Sequence, residues 1–160
     1  MIRVQREDFD PGREIAALTA GRHDVGGVVS FTGLVRDMAG DQQIGAMTLE
    51  HYPGMTEKLL AAIDAEANRR WPLSGSLVIH RYGRLEPGDR IVLVVTASPH
   101  RDAAFDACRF LIDWLKTQAP FWKLEEGRRG TEWVEAKSSD DAAAARWRKK
   151  PPTRKTDAAE

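Results

Sequence analysis

Five consecutive apolar residues, Ile91-Val92-Leu93-Val94-Val95, constrain this chain more than any other stretch. A run without polar alternation predicts a central, heavily buried strand from Arg90 to Ala97, and such a strand needs a sheet around it. The remaining periodicities supply one. Ile2 to Gln5, Val25 to Val35, Ile44 to Tyr52 and Ser76 to Tyr82 read as further strands, with Gly26, Gly27 and Gly33 as possible bulge points and Glu86-Pro87-Gly88-Asp89 as a turn.

Helices alternate with these strands. Asp10-Pro11 is an N-cap followed by a first-turn proline, opening a helix through about Leu18. Met55, Leu59, Ala62, Ile63 and Ala67 recur at three- and four-residue steps, predicting an amphipathic helix from Thr56 to Arg70. Ala104, Ala107, Cys108, Leu111, Ile112 and Leu115 form the apolar face of a third helix, which Ser98 is expected to cap and Pro120 to stop. Gly127-Arg128-Arg129-Gly130 can turn a hairpin between Lys123-Leu124-Glu125 and Glu132-Trp133-Val134-Glu135, and Asp140 can cap a short helix carrying Ala143 to Trp147. This order implies an α+β sandwich with helices on one side of a sheet. Residues 1–147 form one expected domain; 148–160, without an apolar face, form an expected flexible tail.

Composition narrows the function classes. With 160 residues, 42% of them apolar, the chain can bury a core without disulfides or a structural metal. Lys plus Arg and Asp plus Glu both number 24, so no global field favours nucleic acid and any anion site must be local. The tail cations Arg148, Lys149, Lys150, Arg154 and Lys155 lie beside Asp157 and Glu160, and solvation explains them better than nucleic-acid binding. Cys108, a single cysteine on an apolar stripe, excludes disulfide frameworks and cysteine metal clusters and reads as core filler. No signal peptide or membrane-spanning run is apparent, so a cytoplasmic protein is expected. Phosphate-loop, dinucleotide, zinc-protease and serine-hydrolase motifs are all absent.

The chemistry-bearing residues cluster around the third helix. His100 and Arg101 follow Ser98-Pro99 at its start, where exposed backbone N–H groups favour neutral imidazole and welcome an anion. The plainer alternative pairs Arg101 with Asp102 and leaves His100 to pack. Lys116 lies sixteen residues beyond His100, about 24 Å at ~1.5 Å per residue, so the two cannot share a small site unless the chain returns or another subunit contributes. A lysine there is also ordinary helix-end electrostatics. Lys123 follows Pro120-Phe121-Trp122, and Glu125 falls on the same side of an extended backbone. Such a lysine can move protons, anchor an anion or act as an amine nucleophile, and a surface ion pair is the competing reading. Arg36 ends a strand, where ligands are often met, while His51, followed by Tyr52, and His80, on one strand face with Tyr82, read most simply as structural histidines.

Taken in order, Phe31 to Arg36, Leu49 to Met55, His80 to Leu85, Ser98 to Phe105, Leu115-Lys116, Ala119 to Glu125 and Trp133 to Ala136 closely resemble the catalytic subunits of molybdopterin synthases, the MoaE family. The resemblance covers about residues 2–147. It implies an α/β hammerhead fold with an added antiparallel subdomain, a homodimer, and a heterotetramer with two small ubiquitin-like sulfur carriers of the MoaD family. The carrier's C-terminal Gly-Gly tail, as a thiocarboxylate, would enter the large subunit. Two sulfur atoms would pass to cyclic pyranopterin monophosphate to form the molybdopterin dithiolene, without a cofactor or metal. On this resemblance Lys116 and Lys123 are the catalytic pair, and Arg36, His100, Arg101 and Glu125 line the substrate site. Lys137 stands where the family often has arginine; it keeps the charge but loses the planar fork, which marks it as a binding position. A noncatalytic adaptor for a carrier tail or an anionic metabolite is the competing function.

Overall fold

The computed structural model describes residues 1–39, 42–127, 130–134, 142 and 145–148. Its first sheet has the order β1 (Ile2–Gln5), β5 (Gly75–Arg81), β7 (Arg90–Ser98) and β2 (Gly27–Leu34). The apolar run lies in β7, paired antiparallel to β5 and β2 on its two edges, while β1 joins β5 in parallel. Each face of that sheet is covered. Leu77, Ile79, Leu93 and Val95 pack with Phe9, Ile15 and Leu18 beneath α1 (Pro11–Thr19). Val78 and Val94 pack oppositely with Ala67, Ala107, Cys108 and Leu111 of α2 (Met55–Arg70) and α3 (Arg101–Thr117).

Helices therefore occupy both faces rather than one, and this is why the run has no polar alternation: every side chain of a doubly covered strand meets apolar neighbours. Leu93, Val94 and Val95 have no exposed surface. Truncating such a side chain to alanine costs about 2–5 kcal/mol.

The α+β expectation holds, and the added antiparallel unit is a second sheet. It is ordered β3 (Met38–Ala39), β4 (Gln42–His51), β8 (Phe121–Gly127) and β9 (Gly130–Val134), with β6 (Gly83–Leu85) also on β4. The strand after Arg36 thus leaves the first sheet instead of returning to it. Two devices make the transfer. A bulge at Gly45 shifts the register so that Ile44, opposite Gly127, joins the face carrying Met47 and Leu49. Gly83, at φ 91°, ends the path of β5 and turns the chain into β6, a conformation a side chain would strain.

The expected hairpin forms between β8 and β9, with Lys123 opposite Val134 and Glu125 opposite Glu132; Arg128 and Arg129 lie outside the described residues. Asp10 caps α1 through the N–H groups of Gly12 and Arg13, at 2.8 and 3.1 Å. Ser98 does not cap α3. It is the buried last residue of β7, its hydroxyl donates to the Pro72 carbonyl at 2.8 Å and accepts the His100 N–H, and His100 becomes the N-cap. Asp140, Ala143 and residues 149–160 fall outside the described residues, and Trp147 sits in a 3-10 turn, Arg146–Arg148.

Candidate functional site

Two hollows flank the C-terminal half of α3. The larger, about 250 Å³, lies between α2 and α3 and is lined in part by Trp147. Its charges are already answered from within the chain. Arg70 pairs with Glu66 at 2.6 Å, lies over the Phe110 ring at 4.7 Å and donates to the Trp147 carbonyl at 3.2 Å. The Trp147 indole N–H donates to Asp113 at 2.8 Å, and its ring meets Trp71 and Phe110 edge-on. This is a packing site.

The smaller hollow, about 150 Å³, is a cleft between the two sheets at the end of α3. β2 and the residue pair after it contribute Leu34, Val35 and Arg36; β7 adds Ile91. Ile44 and Met47 come from β4, Lys116 from α3, and Lys123 with Glu125 from β8.

The sequence places these groups for local reasons. Pro120, three residues after the last helical residue Thr117, lacks an amide hydrogen and cannot continue the helix, so the chain reverses and β8 starts beside the last helical turn. Lys123 and Glu125, two apart on β8, then point to one face, directly opposite Leu49 and Met47 of β4. Those partners are buried with Val35 and Leu85, so the ion pair stands on an apolar floor.

Lys123 Nζ pairs with Glu125 Oε1; the glutamate side chain is 13% exposed and the lysine 39%. The carboxylate is the deeper member, and it holds the ammonium at the cleft wall. Among the described residues Arg36 and Lys116 have no ion-pair partner. The cleft therefore presents three cations against one carboxylate, an arrangement suited to an anion and to stabilising negative charge that develops on oxygen.

The single chain brings together Arg36, Lys116, Lys123 and Glu125 but not His100 or Arg101. Those two lie at the opposite end of the uninterrupted seventeen-residue α3. Arg101 is 87% exposed and its Nε is 3.7 Å from Asp102, the plainer pairing foreseen for it. Lys137 lies outside the described residues.

The apolar walls Leu34, Val35, Ile44, Met47 and Ile91 were not among the expected site residues; nothing in their local pattern separates a wall from a core position. Cys108 is buried, and burial pushes its thiol up to about 11, so it is no nucleophile. His80 is likewise buried, stacked on Phe121 with centroids 3.7 Å apart.

Comparison with known proteins gives one consistent answer. The family model described as MoaE protein matches residues 4–118. The molybdopterin synthase catalytic subunit of Pseudomonas aeruginosa is 58% identical over 146 residues, covering 91% of this chain and 97% of that one. The solved MoaE protein of molybdopterin biosynthesis from Burkholderia ambifaria superposes with a TM-score of 0.80 at 51% identity, covering 94% of this chain and 99% of its own. The crystal structure of molybdopterin synthase from Staphylococcus aureus contains a chain with TM-score 0.76 and 32% identity, covering 83% and 96% respectively.

Proposed function

This chain belongs to the MoaE protein family, and on that premise we propose that it is the catalytic subunit of a molybdopterin synthase. In this reading it accepts the thiocarboxylated C-terminus of a small ubiquitin-like carrier. Sulfur passes from that tail to cyclic pyranopterin monophosphate, building the molybdopterin dithiolene. The observation that carries the reading is the convergence of Arg36, Lys116, Lys123 and Glu125, from three separate stretches, on one cleft.

Each residue type has a task in such a reaction. A tail ending in a thiocarboxylate and a cyclic phosphate are both anionic, and Arg36 offers a planar fork for one of them. Attack of sulfur on the pterin side chain requires proton movement and support for developing oxyanions. Lys116 and Lys123 supply ammonium groups for both, and Glu125 holds Lys123 in position.

The cleft of one chain is small for the complete reaction. At about 150 Å³ it falls below the roughly 300 Å³ at which small-molecule pockets begin. His100 and the 87% exposed Arg101 project from the far end of α3, with Phe105 62% exposed one turn on. A second copy of the chain would present these groups to the first, completing the anion site in a dimer that binds two carriers. Lys137 belongs to the same proposal as a phosphate contact. No described helix is long and apolar enough to cross a membrane, and a cytoplasmic location fits the biosynthetic role.

The test is single turnover with purified carrier thiocarboxylate and the pterin precursor. Dithiolene product is expected from the wild-type chain. Lys116→Ala and Lys123→Ala should stay folded and lose it, and normal turnover by both variants removes the catalytic assignment. Carrier binding without product by the wild type would favour the adaptor.

A further inference from the structure

The two cleft lysines flank Phe121 in sequence, and Phe121 is one of the points where the second sheet touches the first. Its ring lies flat on His80 of β5, centroids 3.7 Å apart and planes 15° from parallel. Across β4, its register partner is His51, whose ring lies 6.0 Å away and packs at 4.5 Å against Tyr82.

His80 is itself fixed. It is 8% exposed, and its Nδ1–H donates to the Arg81 carbonyl at 2.9 Å. Arg81 is tied in turn to the carbonyls of Arg6 and Arg90, at 3.0 and 2.9 Å. The stack is thus a rigid post rooted in the first sheet, bearing on the strand that carries Lys123.

We propose that His80 and Phe121 are positioning residues for the cleft: their stack sets where β8 begins, and with it the placement of Lys123 relative to Lys116. Neither ring lines the cleft, so the effect passes through the strand. The geometry gives a short lever. Phe121 is two residues from Lys123 on the same strand face, and only Thr117 to Pro120 separate it from Lys116.

A neutral ring suits this post. Burial, and to a smaller extent the neighbouring His51, hold His80 far below the usual imidazole range, at about 4, against the opposing pull of the Arg81 carbonyl. The stack is therefore uncharged wherever the protein is folded at ordinary pH. Phenylalanine in place of His80 preserves the flat contact; alanine removes it.

The proposal rests on the synthase reading for its kinetic arm and on structure alone for its spectroscopic arm. His80→Ala, His80→Phe and Phe121→Leu would be compared with wild type for sulfur-transfer rate, carrier affinity and the 13C signals of Lys116 and Lys123 Cε. Misplacing a reacting group by about 1 Å can cost on the order of 100-fold. His80→Ala and Phe121→Leu are accordingly expected to lose about 10- to 100-fold in rate, with carrier affinity within about twofold and both lysine signals displaced. His80→Phe should restore rate and signals together.

Unmoved lysine signals in a folded His80→Ala or Phe121→Leu chain overturn the proposal, whatever the activity. So does a His80→Phe chain that folds yet fails to restore them. If wild type itself makes no dithiolene while the signals respond as expected, the synthase reading fails and the positioning role stands. Should His80→Ala not fold, Phe121→Leu carries the same comparison.

Discussion

The two hollows beside α3 share a helix and differ in what their charges meet. On the α2 side Arg70, Glu66 and Asp113 each find a partner, and the chain's own Trp147 supplies two of the contacts. On the sheet side, among the described residues, the charges outnumber their internal partners by two cations. Volume ranks these sites the wrong way round, since the packed hollow is the larger. A cleft built to take a ligand is recognised by polar groups left for that ligand to satisfy, and a structural one by groups that already satisfy one another.

The sharpest way to break this contrast is to remove one cation from the sheet-side cleft. Lys123→Ala and Lys116→Ala should each lower the sulfur-transfer rate by about 100- to 1000-fold, the range for one general acid–base or oxyanion-stabilising group. Thermal melting should hardly change, because Lys116 is exposed and the Lys123 pair is partly so. A lysine variant that unfolds while keeping its specific rate would mark the cleft as structural instead.

Acid should act on the fold through His80. The unfolded ring titrates near 6.5 and the folded ring near 4, so between those values the unfolded chain binds the extra proton. Stability is complete above about pH 6.5 and falls as pH drops toward 4, by up to about 3 kcal/mol. Urea titrations at pH 7 and 4.5 measure this. His80→Phe should flatten the slope, and an unchanged slope would assign the acid sensitivity to other groups.

The α2-side hollow should answer oppositely to the cleft. Trp147→Ala removes a partly buried aromatic and leaves Asp113 without its indole donor, and should cost about 2–3 kcal/mol by urea denaturation. Trp147→Phe, which keeps the ring contacts, should cost nearer 1 kcal/mol, the value of a single hydrogen bond. Either variant, while folded, should retain carrier binding.

Sequence patterns revealed this architecture where the governing contacts are local. The unbroken Ile91–Val95 run marked the central strand, and the spacing of Lys123 and Glu125 placed both on one face before any strand pairing was known. Long-range choices left no such trace. That β4 pairs with β8, about seventy residues away, and that α1 covers the face opposite α2 and α3, follow from which surfaces bury each other best. Ser98 failed as a cap because its hydroxyl had a buried carbonyl partner that the local sequence does not name. The local pattern of Arg36 showed only a strand end, and its place beside Lys116 and Lys123 came from the packing of the two sheets.

The smallest stability effect, and the most discriminating use of it, lies at the other end of α3. Arg101 and Asp102 are 87% and 91% exposed at a 3.7 Å separation, so their pairing should contribute little. Arg101→Ala should change stability by less than about 0.5 kcal/mol. If a second copy delivers Arg101 to the cleft, the same variant should nevertheless lose sulfur transfer. Mixing it with a Lys123→Ala chain should then restore activity, because half of the sites in a mixed dimer would combine an intact Arg101 with an intact Lys123. Native mass spectrometry, with one variant isotope-labelled, confirms that the copies exchange. Recovery after exchange places the arginine across the interface, whereas no recovery in exchanged dimers returns it to the solvent-facing pair with Asp102.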